Sequence, residues 1–125
     1  NDLYGGVDRL LAEVRPLTAG HQVHFVDFPA AAALEKAVQT HKPALLWFET
    51  PSNPTLRSVD LSLVAQLGRK AGAVTVCDST FSSPAGQRPI EQGIDVVVHS
   101  ATKMLNGHSD LLGGVVAVSP QAPAQ

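Results

Sequence analysis

The chain has 125 residues, 44% of them hydrophobic and 16% charged, with a formal net charge of −2. That length suits one domain able to bury about two-thirds of its extended surface, and the apolar fraction with so small a net charge excludes general disorder. The charge gives no electrostatic reason to expect nucleic acid, no apolar run approaches the ~20 residues of a membrane span, and a single cysteine, Cys77, cannot form an internal disulfide. The first residues show no basic stretch followed by an apolar core, so no signal peptide is read and a cytoplasmic protein is expected.

Val7, Leu10, Leu11 and Val14 follow the i, i+3, i+4, i+7 spacing of an amphipathic helix, which Pro16 is expected to stop. Residues 22–28, β-branched and aromatic, predict a strand. Helical spacing returns at Leu34, Ala37, Val38 and His41, and the apolar run 44–49 predicts a strand buried on both faces. The prolines at 51 and 54 exclude helix and central strand alike. Asp60 then suits an N-cap for a helix through Ala71, with Arg69 and Lys70 in its last turn and Gly72 just beyond. Strands are predicted over 73–78, 95–100 and 114–119, with a short helical turn at 89–92 closed by Gly93. Strands alternating with helices predict an α/β fold with a mostly parallel sheet and flanking helices.

In open sheets of this kind ligands bind beyond the carboxyl ends of the strands. Those ends are polar here. Glu49 leads into the loop carrying Asn53, Asp78 is followed by Ser79 and Thr80, and His99-Ser100-Ala101-Thr102-Lys103 precedes Asn106-Gly-His-Ser-Asp110. Asp78 can cap the next turn or address a cationic ligand atom. Lys103 can be a solvated surface charge or, partly buried, an amine able to lose its proton and form a Schiff base. The hydroxyls of Ser100 and Thr102 can bond their own backbone or a phosphate.

Three stretches, Glu49-Thr-Pro-Ser-Asn-Pro-Thr-Leu56, Cys77-Asp-Ser-Thr-Phe81 and His99-Ser-Ala-Thr-Lys-Met-Leu-Asn-Gly-His-Ser-Asp110, resemble the signatures of the Cys/Met-metabolism enzymes that depend on pyridoxal 5′-phosphate (PLP). Tyr4-Gly5-Gly6 with Arg9 matches a further segment, and the likeness runs in register along the whole chain. It implies part of a fold-type-I large domain, with Lys103 holding PLP as an internal aldimine and moving protons on the substrate. Asp78 would pair with the pyridinium nitrogen and keep the ring an electron sink. Ser100 and Thr102, with the amides of Gly5 and Gly6, would hold the phosphate. Tyr4 would stack on the ring and serve the reaction, Thr80 would contact the opposite face, Asn53 would bond the ring 3′-oxygen, and Arg9 would lie on the substrate side with Tyr4.

The implied reaction is γ-elimination or γ-replacement on sulfur amino acids or O-acyl homoserine, of the cystathionine γ-synthase or γ-lyase type. Methionine γ-lyase, cystathionine β-lyase, O-acylhomoserine sulfhydrylase and a non-catalytic folded segment stay open. Val7 after the glycines, Ser79 within Asp-Ser-Thr and Met104 after the lysine depart from the family's usual residues without removing a cofactor-bonding group. The resemblance also implies an amino-acid substrate and a homo-oligomer, a dimer of dimers, with no nucleic-acid or membrane partner. Residues 1–125 would be a central portion of the cofactor-binding domain of a longer chain and are not expected to turn over alone.

Other residues have plainer readings. His21, His24 and His41 lack ligand-spaced partners, and no metal is expected. His99 reads as a satisfied core histidine, His108 as a loop-ordering group, and Cys77 as a small buried hydrophobe. Trp47 and Phe48 read as core, and Asp60 and Arg57 as the cap and solvated flank of a helix start. A nicotinamide-binding fold would fit the alternation but lacks Gly-x-Gly-x-x-Gly after a strand.

Overall fold

A computed structural model of the chain describes residues 3–123. Helix α1 (Gly5–Arg9) runs through a π-helical turn, Leu10–Val14, into α2 (Arg15–Ala19), and α3 spans Ala31–His41. Strand β1 (Leu45–Glu49) is followed by α4 (Leu61–Ala71), β2 (Val74–Asp78), a single turn α5 (Ser83–Gly86) and a 3₁₀ turn, Pro89–Gln92. Strand β3 (Val96–Ser100), a π-helical turn over Ala101–Leu105 and β4 (Gly114–Val118) complete the order. The four strands form one sheet in sequence order, β1, β2 and β3 parallel and β4 antiparallel at the edge.

Helix α4 forms where the sequence places its ends. The Asp60 carboxylate accepts the Leu63 N–H at 3.0 Å, and Gly72 closes the helix at φ 69°, a left-handed conformation that glycine adopts without steric cost. Its buried residues Leu61, Val64, Ala65 and Leu67 pack with Leu34 and Val38 of α3 against one face of the sheet. Leu46 and Phe48 of β1, Cys77 of β2 and Val97 of β3 supply that face, with Ile94 beside them.

Two contacts lock α4 and the strand starts. Asp95 accepts the Thr75 N–H at 2.8 Å and the Thr75 hydroxyl at 2.7 Å, while its own N–H donates back to Thr75 Oγ1 at 2.9 Å. The Thr75 rotamer is thereby fixed, and its methyl lies so close to Gly68 that any Cβ there would collide with it. Helix and sheet approach this closely because residue 68 has no side chain.

The structure departs from the sequence expectations in physical ways. Residues 22–28 form no strand: they run as loop, because no strand of the described residues lies beside them, and half-buried Val23, Val26 and Phe28 pack while Asp27 pairs with Arg57. Among the described residues, four strands rather than five therefore stand in the sheet. Pro16 does not stop the first helix. It sits in the first turn of α2, where it lacks no needed donor, and the preceding π-helical turn resets the hydrogen-bond register before the helical run ends at Gly20, φ 64°. Strand β1 is buried on one face only, with Leu45 47% exposed, since the described helices α3 and α4 both pack on the other face. His41 points outward and stacks on His24 with ring centroids 3.7 Å apart. Trp47 is half-buried rather than core, its Nε1 without a partner among the described residues, and His99 is buried but its Nδ1 has no partner among them, so it is not the satisfied core group expected. An apolar cleft of about 470 Å³ separates the 21–29 segment from β1.

Gly68→Ala should lower the stability of the chain by about 1–2 kcal/mol despite its better helix propensity, because an overpacked contact outweighs that gain. Thr75→Ser, which keeps the hydroxyl and removes the methyl, should recover most of the loss; urea unfolding of the single and double variants checks both. Burial, with Asp78 and Glu49 nearby, pushes the Cys77 thiol up to about 12. Alkylation of native Cys77 at neutral pH should accordingly run at least about a hundredfold slower than in urea-unfolded protein, as measured by mass spectrometry.

Candidate active site at the strand ends

The register brings the last residues of three strands side by side. Glu49 stands opposite Asp78, and Asp78 opposite Val98, with the ladder extended one residue further by Thr50 N–H to the Asp78 carbonyl (3.0 Å) and Ser79 N–H to the Val98 carbonyl (3.1 Å). Alternation along β1 and β2 puts the Glu49 and Asp78 side chains on the same face, opposite the core.

The Glu49 carboxylate joins two segments remote in sequence. Its Oε2 accepts the Tyr4 N–H at 2.8 Å and its Oε1 the Asn53 N–H at 3.0 Å. Tyr4 is the N-cap of α1, so the amides of Gly5 and Gly6 open a helix and have no intrahelical acceptor. The Tyr4 ring lies over Gly6, where an added Cβ would stand 2.9 Å from the ring.

Asn53 sits in a loop whose two X-Pro bonds, Thr50–Pro51 and Asn53–Pro54, are cis. Buried Ser52 stitches that loop. Its N–H donates to the Arg57 carbonyl (3.0 Å), its carbonyl accepts from Leu56 (2.8 Å), and its hydroxyl pairs with Thr55 (2.8 Å) and accepts the Arg57 N–H (3.1 Å). Buried Thr50 accepts from Val59 N–H at 3.0 Å, and the Gln87 side-chain amide reaches the Thr50 carbonyl (3.1 Å) and Ser79 Oγ (3.2 Å). The Arg57 guanidinium forms a two-point ion pair with Asp27 at 2.8 and 3.1 Å rather than solvating the helix start, and it holds the Asp27 carboxyl below its usual range.

From β2, half-buried Asp78 accepts the Thr80 N–H at 2.9 Å on one oxygen. Thr80 Oγ1 in turn accepts the Ser100 N–H at 2.8 Å, leaving its hydroxyl proton to donate elsewhere. Ser100 ends β3 and the chain bends at once into the turn holding Lys103, whose φ of −90° and ψ of −115° depart from helical values. Thr102 Oγ1 accepts the Gly113 N–H at 3.0 Å, closing the loop onto the start of β4. Lys103 is exposed and, among the described residues, makes no ion pair. It lines an open concavity of about 590 Å³ with Thr102, Gly107, Ser109 and Asp110. Beside it Asn106 donates to Asp110 at 2.8 Å, and His108 Nδ1 bonds the Asn106 carbonyl at 2.8 Å, the loop-ordering part expected of it.

The structure thus links Tyr4, Gly5, Gly6, Asn53, Asp78, Thr80, Ser100, Thr102 and Lys103 along one sheet edge through direct bonds or chain adjacency. Arg9 stands apart, exposed at the last turn of α1 and without a hydrogen bond or ion pair among the described residues. The sequence places Glu49 among these polar strand ends but assigns it no role, which its two bonds now supply. Gln87, Ser79 and Ser52 had no local signal. No helix of the described residues is long and apolar enough to cross a membrane.

Known proteins resemble this chain in sequence and in fold. The chain is 48% identical over 118 residues to a cystathionine beta-lyase of Coxiella burnetii, covering 94% of this chain and 30% of that protein. It is 47% identical over 116 residues to the cystathionine gamma-synthase of Escherichia coli, covering 93% of this chain and again 30% of the relative. The solved cystathionine gamma synthase of Xanthomonas oryzae, in complex with cystathionine, superposes with a TM-score of 0.90 at 42% identity, over 96% of this chain and 30% of that one. The chain therefore spans about a third of the length of these relatives. Residues 1–125 match the family of Cys/Met metabolism PLP-dependent enzymes, and the chain belongs to that family.

Proposed function

We propose that the protein containing this chain is a PLP-dependent enzyme that eliminates or replaces the γ-substituent of a sulfur amino acid or an O-acyl homoserine. The observation that supports it most is the placing of Lys103, Asp78 and Ser100 at adjoining strand ends, with hydroxyls and amides around them suited to an anion. The donor set fits the cofactor: an amine without an ion pair among the described residues, a carboxylate with an uncommitted oxygen, and a tyrosine ring lying over a glycine. When bound, PLP supplies an electron sink for charge developing on substrate carbon.

Each residue has its part in that reading. Lys103 Nζ would hold the cofactor and carry protons to and from the substrate carbons. The second Asp78 oxygen would hold the proton of the cofactor's ring nitrogen, while its first oxygen, bonded to Thr80 N–H, fixes the carboxylate plane. Ser100, Thr102 and the Gly5 and Gly6 amides take the phosphate, where a helix start favours an anion. The Tyr4 ring would cover one face of the cofactor and Thr80 the other, and Asn53 would bond the 3′-oxygen. Arg9 addresses the substrate. A homotetramer built as a dimer of dimers, acting in the cytoplasm, goes with this reading.

Cleavage of cystathionine at the β-carbon is the second reading, favoured by the 48% identity to a cystathionine beta-lyase. Cystathionine and O-acyl homoserine offered to the full-length protein separate the two. Cysteine and 2-oxobutyrate, or cystathionine made from an O-acyl homoserine and cysteine, support γ-chemistry; homocysteine and pyruvate support the β-lyase. Lys103→Ala should abolish the visible band of bound PLP and lower kcat at least about a thousandfold. A band unchanged in that variant refutes the assignment. Asp78→Asn should lower kcat about 10- to 100-fold, the worth of one charge-assisted hydrogen bond made in the transition state, and steady-state kinetics read it directly.

A further inference from the structure

We propose that Glu49 is the positioning residue of this site, a two-oxygen clamp that sets the Tyr4 ring and the Asn53 loop against the end of β2. The inference rests on the function proposed above and adds a residue to which that reading gives no part. Glu49 closes β1, so its backbone is fixed by pairing with Asp78, and each of its carboxylate oxygens accepts a different main-chain N–H. The Tyr4 amide is 45 residues away in sequence and the Asn53 amide four.

Ser52 stitches the Asn53 loop internally, but among the described residues Glu49 alone bonds the Tyr4 amide and the Asn53 amide. Tyr4 is 58% exposed, and in its other hydrogen bonds among the described residues its carbonyl accepts the Val7 and Asp8 N–H groups of the helix it caps. Among the described residues, the bond to Glu49 is its one hydrogen bond to the sheet. Asn53 is exposed, and its amide bond to Glu49 is its one hydrogen bond among the described residues. Remove the carboxylate and the two groups that face the cofactor ring lose their common anchor, while β1 keeps its ladder. The carboxylate also stands at the start of the helical run from Gly5, where negative charge is favourable.

Hydrogen exchange on the cofactor-free full-length chain tests the clamp without relying on activity, and PLP titration of the same protein tests its consequence. Glu49→Gln keeps the volume but turns an NH₂ toward one of the two N–H donors; Glu49→Leu removes both acceptors. In both variants the Tyr4 and Asn53 amides should exchange at least about tenfold faster, while the Thr75 amide, held by Asp95, keeps its protection. PLP should bind about tenfold or more weakly, because hydrogen bonds to a charged group hold that much each. Glu49→Gln serves alone should Glu49→Leu fail to fold. Unchanged exchange at Tyr4 and Asn53 in Glu49→Gln overturns the proposal, as does faster exchange there with unaltered PLP affinity. Faster exchange spread to Thr75 also overturns it, because Glu49 would then support the whole sheet. Wild-type protein that takes up no PLP would instead refute the proposed function, and the exchange rates at Tyr4 and Asn53 would still decide the clamp.

Discussion

Strands β1, β2 and β3 run parallel in a register that sets Glu49 beside Asp78 and Asp78 beside Val98, and every group of the site hangs from that register. Side chains alternate along a strand with period two, so a slip of one residue would replace Asp78 by Cys77 on the site face and bury the carboxylate against α4. The start of the register is pinned by the reciprocal bonds of Thr75 and Asp95, and its end by the Thr50 and Ser79 amides, which extend the ladder past the last paired residues. Both ends are locked by polar groups with little freedom to rearrange.

The loops beyond the strands could not hold their shapes by apolar packing, since they are short and rich in proline, serine and threonine. They are held by buried hydroxyls. Thr50, Ser52 and Ser79 are all buried, and each makes hydrogen bonds to neighbouring backbone or to Gln87. A buried polar group left unpaired is costly, so these bonds specify one loop conformation rather than merely permitting it. The two ends of the loop carrying Asn53 are thereby held, and Asn53 itself is tied back by its amide to Glu49. Arg57 ties the far end of the same loop to Asp27, a contact present at neutral pH and weakened as acid protonates the Asp27 carboxyl.

What could be read from the residue pattern was whatever local chemistry decides. Asp60 and Gly72 bracket α4 because capping and left-handed glycine act within a turn of the chain, and the strand ends at Glu49, Asp78 and Ser100 follow from apolar runs meeting polar residues. The fold class and the grouping of Asp78, Thr80, Ser100 and Lys103 were legible for the same reason. Residues 22–28 have the composition of a strand, but a strand exists only against a partner, and none of the described residues supplies one. Pro16 stays within the helical run because a π-helical turn adjusts the backbone ahead of it, a tertiary accommodation invisible in the spacing of Val7, Leu10, Leu11 and Val14. The one-sided burial of β1 depends on which face the helices choose, and Gln87 bonds residues 37 and 8 positions away. Neither fact is written in any local window.

Glu49 and Asp78 show how environment, not residue type, assigns a role. They are neighbours in register, on the same face, at the ends of adjacent strands. Both oxygens of Glu49 face backbone amides delivered by the chain, one from the start of α1 and one from the proline loop, and a carboxylate so occupied can orient segments but offers little to a ligand. Asp78 spends one oxygen on Thr80 N–H, which fixes its plane, and keeps the other. A second carboxylate one strand over would ordinarily compete for any cation that approached. Main-chain donors remove that competition by compensating the Glu49 charge in place. The pair therefore divides the work: one acid builds the frame, and its neighbour is left to meet the ligand.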